Sequence, residues 1–205
     1  MKIGISRPRA LSPGQFLCDP LWTSRIALSE WDLLDLIDVS ARQQSAIHKT
    51  LASSSHRTIL GVSAKYLLSN PEATSERISI LLELAEAFVA SSVLIRSSRE
   101  ELVAIEQSLS KPLSSIEVWV DCGRELPQTR LLPVIEDPLW HRISTARSSG
   151  LFKLHGWHPA RWVRYYGPER LQQLARLAAK HRPRVILFAH SMRNEEALRF
   201  QELLR

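Results

Sequence analysis

The chain has 205 residues and 23.3 kDa, with 44% hydrophobic and 23% charged residues, the composition of a globular protein with apolar material for one sizeable core. Its formal net charge of +6 is concentrated at one end: residues 151–205 carry eleven Lys or Arg against four Asp or Glu, which leaves 16 against 17 in the rest. No run approaches the ~20 apolar residues of a membrane span. The sequence turns polar too soon after Ile5 for a signal peptide, and Cys18 and Cys122 have no disulfide or chelating spacing, so a single cytoplasmic domain over residues 1–205 is expected.

Short apolar or β-branched runs alternate with segments of helical period, the pattern of a parallel sheet. Strands are expected at Lys2–Ser6, Leu33–Val39, Thr58–Ala64, Ser92–Ile95, Ile116–Val120, Leu132–Ile135, Leu151–His155 and Arg184–Phe188. Between them, Ala41–Ser53 reads as a helix, and Thr74–Ala90 carries one apolar stripe through Ile78, Leu81, Leu82 and Ala85. Ser98-x-x-Glu101 opens a helix to Leu109 as a capping box. Gly167-Pro168-Glu169 starts a helix that buries Leu171, Leu174, Leu177 and Ala178, and Ser191 caps a last helix that buries Ala197, Phe200, Leu203 and Leu204.

Only Gly123–Gln128 and Leu139–Ala146 follow the fifth and sixth strands, so those crossovers are abbreviated. Eight such units predict a compact α/β barrel of (β/α)8 TIM type; an open doubly wound sheet is the alternative, without a Gly-rich phosphate loop to favour it.

Leu151-Phe152-Lys153-Leu154-His155-Gly156, the aromatic loop ending Tyr165-Tyr166-Gly167, and the run Met192 to Phe200 resemble the YecE-like family, the domain of unknown function numbered seventy-two, in its compact archaeal-type branch. Val134-Ile135-Glu136-Asp137-Pro138 resembles that family's Asp-Pro after the sixth strand, and the match spans about Pro133 to Leu204. The resemblance implies a TIM barrel and no particular reaction.

In such a barrel the loops at the C-terminal ends of the strands carry function. Asp121, Asp137, His155 and His190 end four successive strands and form a candidate oxygen and imidazole set for a divalent metal, with His155, Asp137 and Asp121 as catalytic candidates. Asp137 also has the simpler role of shaping the turn before Pro138.

Candidate ligand-binding residues are Lys65, Arg96, Gly156, Arg161, Trp162, Tyr165, Ser191 and Arg193, a mainly cationic set that points to an anionic, phosphate-bearing or nucleic-acid ligand. Trp162 and Tyr165 suit base stacking, or a lid packed over the mouth. Metal-assisted phosphoester hydrolysis is the enzymatic expectation. The alternative is a non-catalytic barrel that binds nucleic acid or a protein partner through its basic C-terminal quarter.

Overall fold

The computed structural model describes residues 1–6, 12–19, 23–109, 116–122, 131–137, 150–156, 165–190 and 193–205. Eight parallel strands close into a barrel in chain order: β1 (Lys2–Ser6), β2 (Leu28–Asp32), β3 (Arg57–Ser63), β4 (Ala90–Arg96), β5 (Glu117–Asp121), β6 (Leu132–Glu136), β7 (Leu151–Leu154) and β8 (Val185–Phe188). Pairing of Ile3 with Ile186 in β8 and of Ile5 with Ser29 in β2 closes the ring. The expected barrel is therefore present, and the open-sheet alternative falls.

Around it, among the described residues, lie α1 (Pro13–Leu17), α2 (Leu33–Ile37), α3 (Ala41–Ala52), α4 (Ala64–Leu68), α5 (Thr74–Ala87), α6 (Glu101–Leu109), α7 (Gly167–His181) and α8 (Arg193–Leu203). No helix among the described residues is long and apolar enough to cross a membrane. The connections after β5 and β6, expected to be short, lie mostly outside the described residues.

One correction concerns the second strand. Leu33–Val39 is not a strand: Leu33–Ile37 forms α2, which buries Leu33 and Leu36 and is capped by Asp32. The strand is Leu28-Ser29-Glu30-Trp31-Asp32, paired in register with β3 from Leu28 opposite Arg57 to Asp32 opposite Gly61. Its inward positions become charged towards the mouth, so no continuous apolar run marks it, while α2 next door supplies one.

Side chains alternate between two environments along every strand. Outward residues such as Ile5, Leu60, Val93, Ile135, Phe152 and Phe188 pack beneath the helices. Ser29 and Trp31 also face outward, where the Trp31 indole donates to Ser29 Oγ at 2.9 Å. Ser29 Oγ lies 2.8 Å from His56 Nε2, whose Nδ1 is 2.6 Å from the Ile26 carbonyl. That carbonyl requires a proton on Nδ1; burial outweighs this bond and holds the His56 pKa below the ordinary value, which favours the neutral ring with Nε2 free to accept the Ser29 hydroxyl.

Inward residues form a separate apolar layer across the barrel, made of Leu28, Ile59, Leu94, Trp119, Val134, Leu151, Val185 and Leu187. Gly4 leaves the room this layer needs: a Cβ there would lie 2.6 Å from Leu28 Cβ and 2.9 Å from Leu187 Cδ2.

The helices follow the expected stripes with small shifts. α5 buries Ile78, Leu81, Leu84 and Ala85, and ends at Ala87, because Val89 takes a φ of +48° that turns the chain into β4. The Ser98–Glu101 capping box is present at 2.9 and 3.3 Å. α8 buries Arg193, Glu196, Ala197 and Phe200, whereas Leu203 and Leu204, expected inside, are exposed.

Candidate active site at the barrel mouth

One step along five of the strands from the apolar layer, the same inward faces carry charge. Leu28 is followed by Glu30 and Asp32, Leu94 by Arg96, Trp119 by Asp121, Val134 by Glu136, and Leu151 by Lys153 and His155. Two-residue alternation thus converts a hydrophobic plug into a polar ring at the C-terminal ends of the strands.

The ring is internally paired. Ser6 donates to Glu30 Oε2, which lies beside it across the β1–β2 register. Lys153 Nζ donates to Asp121 Oδ2 at 3.1 Å and stands 3.6 Å from Glu30 Oε1. Arg96 Nη1 is also 3.6 Å from Glu30 Oε1, and its Nη2 donates to Asp32. Side-chain exposure falls from 29% at Arg96 through 8% at Lys153 to 1% at Glu30, so the charges descend from the open mouth to a closed floor. Buried charges of this kind persist only when paired, since desolvation costs several kcal/mol per ion.

Gly61 makes the crossing of Arg96 and Glu30 possible: a Cβ there would meet both Arg96 Nη1 and Glu30 Oε1 at 3.0 Å.

Above the ring, His155 Nε2 contacts Glu136 Oε1 at 2.8 Å, with both side chains partly exposed. The hydrogen bond to Glu136 raises the His155 pKa despite partial burial. Asp137 does not reach into the barrel. Its Oδ1 accepts from the His155 backbone N–H at 2.9 Å and from the Tyr166 hydroxyl, and its own N–H donates to the Lys153 carbonyl at 2.8 Å. These bonds tie the ends of β6 and β7 to the start of α7, and they hold Asp137 at a φ of +38°, unusual for a non-glycine residue. Burial, then the charge of Asp137, raises the pKa of Tyr166, so its hydroxyl remains a donor.

His190 belongs to a different place. Buried between the rings of Tyr166 and Phe188, it stands 3.1 Å from Glu196 Oε2, within ion-pair reach but without the angle of a hydrogen bond. Glu196 accepts the Tyr166 N–H and, at 2.8 Å, the Gly167 N–H, capping α7 from α8. Burial alone would raise its pKa; the His190 contact and the two N–H groups overcome that and hold it below the ordinary value.

The four expected metal ligands therefore do not converge. Asp121 is engaged by Lys153, Asp137 by Tyr166 and the His155 N–H, His155 by Glu136, and His190 faces Glu196 on α8. Among the described residues no three His, Cys, Asp or Glu side chains are grouped as a metal site.

Of the expected ligand-binding residues, Arg96 lies in the ring, and Gly156 follows it with a φ of +76°. Lys65 is exposed on α4, Tyr165 is exposed before α7, and Arg193 is buried, donating to the His190 carbonyl at 3.1 Å. Arg161, Trp162 and Ser191 lie outside the described residues.

Sequence reasoning passed over Glu30, Asp32, Glu136, Lys153 and Glu196. The signal was present for Lys153, a lone charge inside a short apolar strand. A groove of about 660 Å³ on the flank, lined by Leu68, Thr74, Ile78, Leu82, Ala104 and Ser108 among others, contains no titratable side chain and is remote from this chemistry.

No protein-family model and no curated protein matches the chain. Among solved structures, it is similar to D-psicose 3-epimerase from Clostridium cellulolyticum H10 with D-tagatose, at TM-score 0.68 and 10% identity, covering 100% of this chain and 98% of that one. A D-psicose 3-epimerase in the presence of D-fructose gives TM-score 0.60 at 8% identity, covering 93% and 85%. A xylose isomerase domain containing protein from Salmonella typhimurium LT2 gives 0.63 at 15%, covering 99% and 97%. At such identities the likeness is one of fold alone: the chain and these proteins are TIM barrels.

Proposed function

We propose that the barrel mouth is an acid–base site for a small polar ligand, in which the His155–Glu136 pair moves a proton above a charged ring that holds the ligand. The observation that carries this reading is the 2.8 Å contact of His155 Nε2 with Glu136 Oε1 at the open end of the barrel. Glu136 raises the His155 pKa and so favours the protonated ring, which can give a proton to a ligand; once that proton is given up, the neutral imidazole can take one back. Asp137 fixes the backbone that carries this ring.

The phosphate-bearing ligand expected from the sequence has less support. The inward strand positions hold Glu30, Asp32, Asp121 and Glu136 against Arg96 and Lys153, and both cations are already paired. Its other donors, Arg161 and Ser191, lie outside the described residues. The YecE-like resemblance remains part of the proposal: from Pro133 onward it covers β6 to α8, the half of the barrel that holds Glu136, Lys153 and His155.

Two of the similar barrels are D-psicose 3-epimerases described with D-tagatose or D-fructose, which makes ketoses the first compounds to test. Incubation of the protein with these ketoses in deuterated water, followed by proton NMR, reads deuterium entering the carbon beside the carbonyl. Incorporation that disappears in His155→Gln and in Glu136→Gln is expected. No incorporation by the wild type, or incorporation indifferent to both variants, overturns the reading.

A second reading, nucleic-acid binding, is favoured by one observation: Arg176, Lys180 and Arg182 are exposed along the end of α7. They lie at the end of the barrel opposite the mouth, about 18 Å along the helix axis from Arg170 to Arg182. Oligonucleotide affinity that falls steeply with salt, with a slope reduced by roughly 0.7–0.9 per arginine removed, is the expected outcome; affinity indifferent to salt argues against it.

A further inference from the structure

We infer that the floor of the mouth contains a seat for one uncharged hydroxyl group between Glu30, Lys153 and Arg96, so that the ligand of this site enters with an uncharged, hydroxyl-bearing end leading. The inference rests on the mouth being a ligand site and adds the class of ligand.

Glu30 is wholly buried, and only one of its carboxylate oxygens is satisfied. Oε2 receives the Ser6 hydroxyl, whereas Oε1 has no hydrogen-bond donor among the described residues. Its two nearest cationic atoms, Lys153 Nζ and Arg96 Nη1, each stand 3.6 Å away, within ion-pair reach but beyond hydrogen-bond length. Asp121 and Asp32 hold these cations from the other side, at 3.1 Å for Lys153, which prevents them from collapsing onto Oε1. A buried carboxylate oxygen left in this state costs free energy that a ligand or water can recover.

The gap has a definite chemical preference. An oxygen can sit about 2.8 Å from each of two atoms that are 3.6 Å apart, and a hydroxyl there donates to Glu30 Oε1 while accepting from Lys153 Nζ. A carboxylate or phosphate oxygen has no proton for Oε1 and meets its charge; an ammonium group meets two cations.

The space depends on Gly61, where a Cβ would lie 3.0 Å from both Oε1 and Arg96 Nη1. In the layer below, the buried Trp119 indole N–H also lacks an acceptor among the described residues, a second unmet polar group in the barrel interior. Lys153 and His155 are two residues apart on one inward face, about 6.6 Å. A chain of roughly four carbons therefore reaches from the seat to the His155–Glu136 pair.

Erythritol and tartrate test this directly, as four-carbon probes that carry a hydroxymethyl group at both ends or a carboxylate at both ends. Calorimetric titration of the wild type is expected to show at least tenfold tighter binding of erythritol. Glu30→Gln, which removes the charge at nearly constant shape, is expected to abolish that preference. Gly61→Ala, which intrudes on the seat without touching any charge, is expected to weaken erythritol at least tenfold with native circular dichroism, and it carries the test if Glu30→Gln does not fold.

Binding of neither probe, equal or tighter binding of tartrate by the wild type, or a preference unchanged in both variants overturns the seat. Because binding is read here without any proton transfer, erythritol binding with no deuterium exchange fails the acid–base reading alone. Deuterium exchange without the erythritol preference fails the seat alone.

Discussion

Glu196 occupies the position that a phosphate takes in many barrels of this kind. The start of α7 presents the N–H groups of Tyr166 and Gly167 beside β8, a ready anion seat, and the protein fills it with its own carboxylate. The nearby Arg193 therefore does not signal a phosphate site; its guanidinium is buried against the His190 carbonyl. Glu196→Ala leaves those N–H groups without their acceptor, a loss of about 1–3 kcal/mol for a buried unsatisfied group. Urea unfolding should register that loss, and acetate or formate, small enough to enter the vacated space, should restore part of it. Equal destabilisation with no response to either anion would mean that the cap contributes through packing alone.

Whether an element could be read from the sequence depends on which way its polar residues face. β1, β3 to β8 and the long helices carry apolar residues on their helix-facing sides in runs long enough to show, and their expected positions hold to within a few residues. β2 does not, because Glu30 and Asp32 face inward where a strand of a simpler barrel would be apolar, and Asp32 doubles as the cap of α2. The site was partly legible for the same reason. Asp121, Arg96 and His155 stand at strand ends, where chemistry is sought first. Lys153 and Glu30 sit one pleat deeper, and their pairing across the barrel, from β7 to β2, is fixed by closure of the sheet and not by any local spacing. Closure also fixes the role of Gly4: Gly4→Ala should destabilise by about 1–3 kcal/mol through overpacking against Leu28 and Leu187. A thermal melt unchanged by that substitution would show that β1 and β2 can part to admit a methyl group.

For the whole molecule, two histidines bound the pH range of greatest stability from opposite sides. His155 has a folded pKa raised above 6.5, chiefly by its hydrogen bond to Glu136, so its contribution is complete below 6.5 and is lost as pH rises through the folded value. His56 has a folded pKa lowered below 6.5, chiefly by burial, so its neutral form stabilises above 6.5 and that contribution is lost as pH falls through the folded value. Stability should therefore pass through a maximum near the ordinary histidine range. Urea midpoints measured across pH should show His155→Gln removing the decline on the alkaline side, and His56→Gln removing the decline on the acid side. A His155→Gln profile that parallels the wild type above 6.5 would mean that the Glu136 pairing is no stronger folded than unfolded.

The apolar plug beneath the charged ring has an electrical consequence. Leu28, Ile59, Leu94, Trp119 and their neighbours form a floor of low permittivity under Glu30, Lys153 and Asp121, with the strand walls around them. Field lines from those charges spread poorly through such a medium and emerge along the barrel axis towards water. A molecule with a large dipole would feel a torque before it touches any side chain, and would enter already turned with one end leading.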